Sequence, residues 1–177
     1  MRWSNAVPLV VLLALVLAFW RGLGRDPTVV PSPLIGRPAP QFSLPSLRDP
    51  AVLVTNAELV GQPTLVNVWG TWCVGCRAEH GMLLDLARRG VRIVGLDWKD
   101  DALAARAWLV ELGDPYQLVA YDATGSVGID WGVYGAPETF VLDKRGVIRH
   151  KHVGPLTAEE VAGTVLPLLD RLAREAP

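Results

Sequence analysis

Cysteine is scarce in this chain. Only Cys73 and Cys76 occur among 177 residues, which excludes a disulfide-rich secreted scaffold. An excess of one charge is also missing: 17 Lys and Arg face 18 Asp and Glu, for a formal net charge of −1. Nothing global therefore argues for nucleic acid or a charged polymer as partner, and no nucleic-acid-binding signature is present. There is no internal repeat and no low-complexity tract. Histidines are few (His80, His150 and His152), and their spacing matches no zinc finger. What the chain has in plenty is apolar residues, 50% of the total, enough for one packed domain plus appendages.

Charge is also missing locally. From Trp3 to Trp20 no residue is charged, and the centre reads VPLVVLLALVLAFW. Eighteen residues at about 1.5 Å each span roughly 27 Å, just enough for a hydrocarbon core. A cleaved signal peptide would have a shorter apolar region and small residues at the cut, whereas this run ends in Phe19, Trp20 and Arg21 with no A-x-A pattern. Trp3 and Trp20 stand where interfacial tryptophans would. The expectation is a short N-terminus over 1–5, an uncleaved transmembrane anchor over 6–22 and a Pro/Gly-rich linker over 23–34. A folded domain then fills 35–177. The flanking basic residues nearly balance, so charge alone does not orient the anchor.

The domain alternates. TLVNVWG (64–70) is a short apolar run that reads as a buried strand. The segment after it reads as a helix with Met82, Leu83, Leu86 and Ala87 on one face and Gly90 as its stop. VRIVGLDW (91–98) is the next strand. Asp100 reads as the N-cap of a helix over 101–112. QLVAYD (117–122) is a strand, and 138–154 reads as a hairpin around DKRG. Thr157 and Glu160 form a capping-box pattern, and Pro167 should kink or divide the last helix. PQFSLPS near residue 40 suggests an edge strand. This order argues an α/β sandwich with a central mixed sheet flanked by helices.

The two cysteines form a C-x-x-C. A structural zinc site needs four ligands; His150 and His152 share a strand face, but neither adjoins the cysteines in sequence. A structural staple would close a tiny loop and restrain little. A redox pair fits the position best. Directly after a buried strand, Cys73 stands at a helix N-terminus, where unsatisfied N–H groups favour the thiolate. Cys73 is expected to be the exposed attacking sulfur, and Cys76, inside the first turn, the resolving one. Neither a cofactor nor a bound metal is expected.

WCVGC after a strand resembles the thioredoxin superfamily. RAEH, GLDWKDD, ELGDPY, PLIGRPAPQFSLPSL and above all GVYGAPETFVLD (132–143) are similar to the DsbE/CcmG thiol:disulfide interchange proteins of cytochrome c maturation. The likeness covers nearly the whole chain. It implies a thioredoxin-like domain in the periplasm on a single-pass anchor in the inner membrane. It further implies a reductant that keeps the C-x-x-C-H thiols of apocytochrome c available for haem attachment, directly or through a CcmH-type dithiol protein. A DsbD- or CcdA-type membrane donor would supply the electrons. Two other functions stay open: a general extracytoplasmic reductase, and a metal carrier using both cysteines and a histidine.

The resemblance also implies a cis peptide before Pro137, with the Ala136 backbone free to pair with a bound peptide. Trp72 is expected to flank the site and offer apolar contact. Asn67 stands where thioredoxins carry a buried aspartate; an amide cannot act as base, and a hydrogen bond to nearby backbone is the simpler role. Glu79, one turn after Cys76, and Glu138, beside Pro137, are expected to form an acidic border that disfavours the Cys73 thiolate, against Arg77. Trp69 reads as core, His80, His150 and His152 as surface positions, and Trp98 with Lys99–Asp101 as a solvated loop. Val74–Gly75 lacks the proline frequent in relatives, and Gly75 is expected to loosen the helix start by about 1 kcal/mol.

Overall fold

Every residue of strand β3 (Thr64–Trp69) is buried, and the main sheet is built outward from it. The computed structural model describes residues 7–23 and 32–175. The chain divides into two units, Met1–Val30 and Pro31–Pro177. In the first, α1 (Val7–Leu23) is a 17-residue helix, its apolar side chains, among them Val10, Leu13, Leu17 and Phe19, exposed. Among the described residues no helix is long and apolar enough to cross a membrane. Residues 1–5 and most of the linker over 23–34 lie outside the described residues.

In the second unit, β3 lies between β4 (Ile93–Trp98), parallel to it, and β6 (Glu138–Leu142), antiparallel to it. β5 (Leu118–Asp122) extends the parallel side and β7 (Ile148–Val153) the antiparallel side, for the order β5-β4-β3-β6-β7. Parallel neighbours need crossovers, and α2 (Val74–Arg88) and α3 (Ala102–Leu112) supply them. The sheet is mixed, as the sequence order implies.

Alternation along β3 sends side chains to two cores. Leu65 and Trp69 pack with Leu83, Leu86, Trp108, Val165 and Leu172. Val66 and Val68 pack with Leu96, Trp131, Phe140 and Ile148 on the other face. The hairpin turns at Asp143, whose Oδ1 accepts the N–H groups of Arg145 and Val147, and Gly146 takes a positive φ of 75° there.

Several expectations are corrected. The 40s segment does not extend the main sheet: β1 (Ser43–Pro45) pairs with β2 (Leu53–Thr55) in a separate two-stranded ribbon. Bridges from Pro38 to Val147 and from Ser46 to Ala120 tie its flanks to the large sheet, and Leu44 and Val54 pack into the core on the Val66 side. A 3-10 turn over Asn56–Leu59 follows, closed by a full capping box between Thr55 and Glu58. The N-cap of α3 is Asp101, whose Oδ1 accepts from Leu103 and Ala104, because the Asp100 carboxylate is engaged elsewhere. The last helix starts as α5 (Ala158–Glu160), widens into a π-turn over Val161–Val165 and resumes as α6 (Leu166–Arg174). Pro167 stands in the first turn of α6, so the missing proline N–H falls at the point of division.

Candidate functional site

Cys73 ends the loop after β3 and is the N-cap of α2. Its Sγ accepts the N–H of Cys76 at 3.0 Å, so the sulfur does what a capping oxygen usually does. Cys73 and Cys76 are joined in a disulfide with their Cα atoms 5.3 Å apart. In this oxidised state neither cysteine is open to solvent, so the exposed attacking sulfur expected at Cys73 is buried. The two residues are 4% and 3% exposed, because the bond draws both into the apolar cluster with Trp69 and Leu156. What is exposed beside them is Val74 and Trp72.

Pro137 covers the first turn of α2, and the Ala136–Pro137 peptide is cis. A Cβ on Gly75 would fall 2.9 Å from Pro137 Cδ and 3.1 Å from Pro155 Cγ. Gly75 is thus where two loops close onto the cysteine turn, a need for a missing side chain rather than a loosening of the helix. The Pro137 carbonyl accepts the N–H of Gly154 at 2.9 Å. Among the described residues, the Ala136 N–H and C=O take part in no backbone pair.

Trp72 is anchored rather than free. Its Nε1 donates to the carbonyl of Lys99 at 3.1 Å, and its ring lies 6.0 Å from that of Trp98. The Asp100 carboxylate accepts from the Thr71 N–H at 2.5 Å and from the Thr71 hydroxyl at 2.7 Å. Of the expected solvated loop, Lys99 and Asp101 are exposed, but Trp98 is buried and Asp100 holds the turn that delivers Cys73. Lys99, with φ 53°, supplies the left-handed step between them.

Beneath the cysteine turn lies a buried polar chain. Asn67 donates to Glu79 Oε1 at 2.8 Å and to the Thr139 hydroxyl at 3.1 Å, and accepts from the Tyr116 hydroxyl at 2.8 Å. Its partners are side chains from α2, β6 and the loop before β5, not neighbouring backbone. Glu79 Oε2 accepts the N–H of Leu156 at 2.7 Å. Glu79 is buried, against the expectation of a rim carboxylate, and burial with only neutral donors pushes its pKa up to about 7. Burial also pushes the Tyr116 hydroxyl well above its ordinary range. On the same sheet face Asp97 is buried with neither carboxylate oxygen hydrogen-bonded among the described residues. Burial first, then the charge of Asp100, lifts it to about 8.

Glu138 is buried too, but in a different setting. Its Oε1 accepts the Tyr134 N–H at 2.9 Å. Its Oε2 lies 2.9 Å from Lys151 Nζ, an ion pair not aligned as a hydrogen bond. Lys151 donates instead to the Gly132 carbonyl at 2.7 Å and sits over the Tyr134 ring. Glu138 is therefore a neutralised anchor for the 132–138 loop, not a bare charge on the rim.

The remaining positions sort as follows. Trp69 is core, stacked on Tyr116. Arg77 lies over the Trp108 ring. His80 is buried, contrary to expectation, with Nε2 2.9 Å from the Gly113 carbonyl. His150 and His152 are part-buried and converge on Glu160, with neither cysteine in the group. Sequence reasoning missed Tyr116, Asp97 and Lys151. The only hint was a polar or charged residue at an inward position of a strand or its edge.

This arrangement suits dithiol–disulfide exchange: two sulfurs at a helix N-terminus, a loop with unpaired backbone beside them, and a buried carboxyl that titrates near neutrality. Comparison with known proteins agrees. The Redoxin family profile matches residues 34–166. The chain is 50% identical over 166 residues to the thiol:disulfide interchange protein DsbE of Allochromatium vinosum, covering 93% of this chain and 92% of that one. It is 44% identical over 176 residues to the protein of that name in Escherichia coli, covering 96% and 95%. A secreted thiol-disulfide isomerase of Corynebacterium glutamicum superposes with a TM-score of 0.66 at 24% identity, over 75% of this chain and 85% of that one, a likeness of fold. With these relatives and this thioredoxin-like fold, the chain belongs to the Redoxin family, among the DsbE thiol:disulfide interchange proteins, and is a thiol:disulfide oxidoreductase.

Proposed function

We propose that the protein is a membrane-anchored periplasmic reductant in cytochrome c maturation. The observation that carries the reductant reading is Glu79: a buried carboxyl one turn from Cys76, raised to about 7, with no cation paired to it among the described residues. Any charge it takes up disfavours a nearby thiolate, which leaves the dithiol less stabilised and more willing to give up electrons. The membrane part rests on the uncharged apolar run from Trp3 to Trp20 in the sequence. The cytochrome part rests on the likeness of GVYGAPETF to that family.

In the proposed reaction the Cys73 thiolate attacks one sulfur of a partner disulfide. The Cys73–partner bond forms, the partner S–S bond breaks, and the leaving thiolate takes a proton. Cys76 then gives up its proton and attacks Cys73, which releases the second partner thiol. The partner gains two electrons and two protons, and Cys73 and Cys76 lose them. Glu79, like Asp97 on the same sheet face, is an interior group able to hold a proton near neutral pH, which Asn67 cannot do. Ala136 offers unpaired backbone for an extended partner segment, with Trp72 as an apolar flank.

The partners follow from the same likeness: apocytochrome c or a CcmH-type dithiol protein downstream, and a DsbD- or CcdA-type donor upstream. Against the metal-carrier alternative, the histidines that come together among the described residues do so around Glu160, without a cysteine. Cys76→Ser in native membranes tests the proposal by trapping partners on Cys73. Apocytochrome c or a dithiol protein of its assembly is the expected catch. A broad set of unrelated periplasmic proteins would instead mark a general reductase. Cys73→Ser is expected to abolish exchange and to trap nothing.

A further inference from the structure

The capping box expected at the last helix is only half made. Thr157 Oγ1 accepts the Glu160 N–H at 3.2 Å, but the Glu160 carboxylate does not reach back to Thr157. It turns toward β7, where His150 Nε2 lies 3.2 Å and His152 Nδ1 3.7 Å from its Oε1. The three ligating atoms lie within 4.8 Å of one another. Ligands on a tetrahedral zinc-class ion, with metal–ligand bonds of about 2.1 Å, stand roughly 3.4 Å apart. The cluster is thus near the spacing that an ion would impose.

A second observation concerns orientation. His152 Nε2 lies 3.3 Å from the carbonyl of Pro155. A carbonyl only accepts, so Nε2 donates to Pro155 and Nδ1 is the nitrogen turned toward Glu160; His150 Nε2 faces the same carboxylate, and each would give up any proton it holds there on taking an ion. This is how metal-binding histidines are commonly held: one ring nitrogen donates to a backbone carbonyl, which aims the other at the ion. The strand alternation of β7 keeps His150 and His152 on one face, while Lys151 between them points to Glu138.

From this geometry we propose that His150, His152 and Glu160 form a binding site for a divalent transition-metal ion of the zinc class. Two imidazoles and one carboxylate suit Zn²⁺ and its borderline neighbours, not the oxygen-seeking Ca²⁺ or Mg²⁺. Three protein ligands leave one position for water or a substrate atom. The site adjoins the redox pair along the chain. Gly154 is bonded to Pro137, Pro155 contacts the Gly75 turn, and Leu156 donates to Glu79. A bound ion would clamp the 152–156 segment between β7 and α5, and so fix one wall of the cysteine site.

The test uses the full chain in detergent with Cys73 and Cys76 oxidised, so that no thiolate competes for metal. Titration with Zn²⁺ followed by calorimetry should show one equivalent bound. His152→Gln and Glu160→Gln should each weaken binding by about tenfold or more, and the triple variant with His150→Gln should abolish it. Thermal unfolding is a second readout independent of how well each variant folds: Zn²⁺ should raise the midpoint of the parent and leave the triple variant unmoved. Equal Zn²⁺ affinity in parent and triple variant, or no saturable binding by the parent, would overturn the proposal.

Discussion

Glu79 and Glu138 make an instructive pair. Both are buried carboxylates close in sequence to the cysteine turn or the proline that covers it. Glu79, on α2, has only neutral donors, the Asn67 amide and the Leu156 N–H. Glu138, at the head of β6, faces the ammonium of Lys151. A buried carboxylate without a countercharge gives up its charge more readily and titrates near neutrality; one with a countercharge becomes a fixed structural element. One carboxylate is therefore left to neutral partners, and the other is held against a cation. Residue type and burial are the same on both sides, and the partner alone makes the difference.

The largest effect expected from breaking this contrast is on the fixed side. Lys151→Met leaves the Glu138 carboxylate buried without its cation and should cost about 3–5 kcal/mol. Urea unfolding would measure it. Adding Glu138→Gln should recover much of that loss, since the pair itself contributes little beyond mutual compensation. A double variant as unstable as the single would show that Lys151 acts mainly through Gly132 and Tyr134.

Next comes the titrating side. Glu79 holds its proton in the folded chain up to about pH 7, whereas the unfolded chain loses it near 4.5. The folded state therefore binds more protons between these values, and stability from this group is full below pH 4.5 and falls as pH rises toward 7. The fall is about 3 kcal/mol at about 1.4 kcal/mol per pH unit. Glu79→Gln should remove this part of the slope, seen in unfolding curves taken across pH 4.5–7.5. Asp97 adds a decline of the same sign up to about pH 8, so the variant should flatten the profile without making it level.

The smallest effect is expected where the two sides meet. Gly75 lets Pro137 and Pro155 close on the α2 turn. Gly75→Ala places a methyl group against both rings and should cost roughly 1–3 kcal/mol as overpacking. It should also slow exchange, because the loop carrying Ala136 must shift. An alanine variant with parental stability and rate would mean that the contact has room to yield.

The sheet and its crossovers were legible in the sequence because they rest on local signals. β3 is a continuous buried run, α2 shows a helical apolar face, and Gly90 and Gly113 mark stops with positive φ. The β1–β2 ribbon was harder: each strand has three residues, too short to display a period. The cysteine pair and the loop at Pro137 could be read from motif and context. The hydrogen-bonded chain could not, since Asn67, Glu79 and Tyr116 meet only once three elements are packed. Lys151 was hidden for the same reason, because an inward lysine looks like a solvated one until its glutamate partner is placed across the strand pair. Asp100 shows how a local rule loses to tertiary competition: it sits one residue before the cap that α3 uses, and Thr71 takes its carboxylate.

The central claim is that this oxidoreductase gives electrons to its partner. The most direct test is the midpoint potential of the Cys73–Cys76 couple, measured by equilibration of the full chain with a graded glutathione or dithiothreitol buffer. A value of about −180 mV or lower, from that of protein disulfide isomerase down toward glutaredoxins and thioredoxin, is predicted. A value near −120 mV, that of a strong oxidant whose reduced form is stabilised, would contradict it.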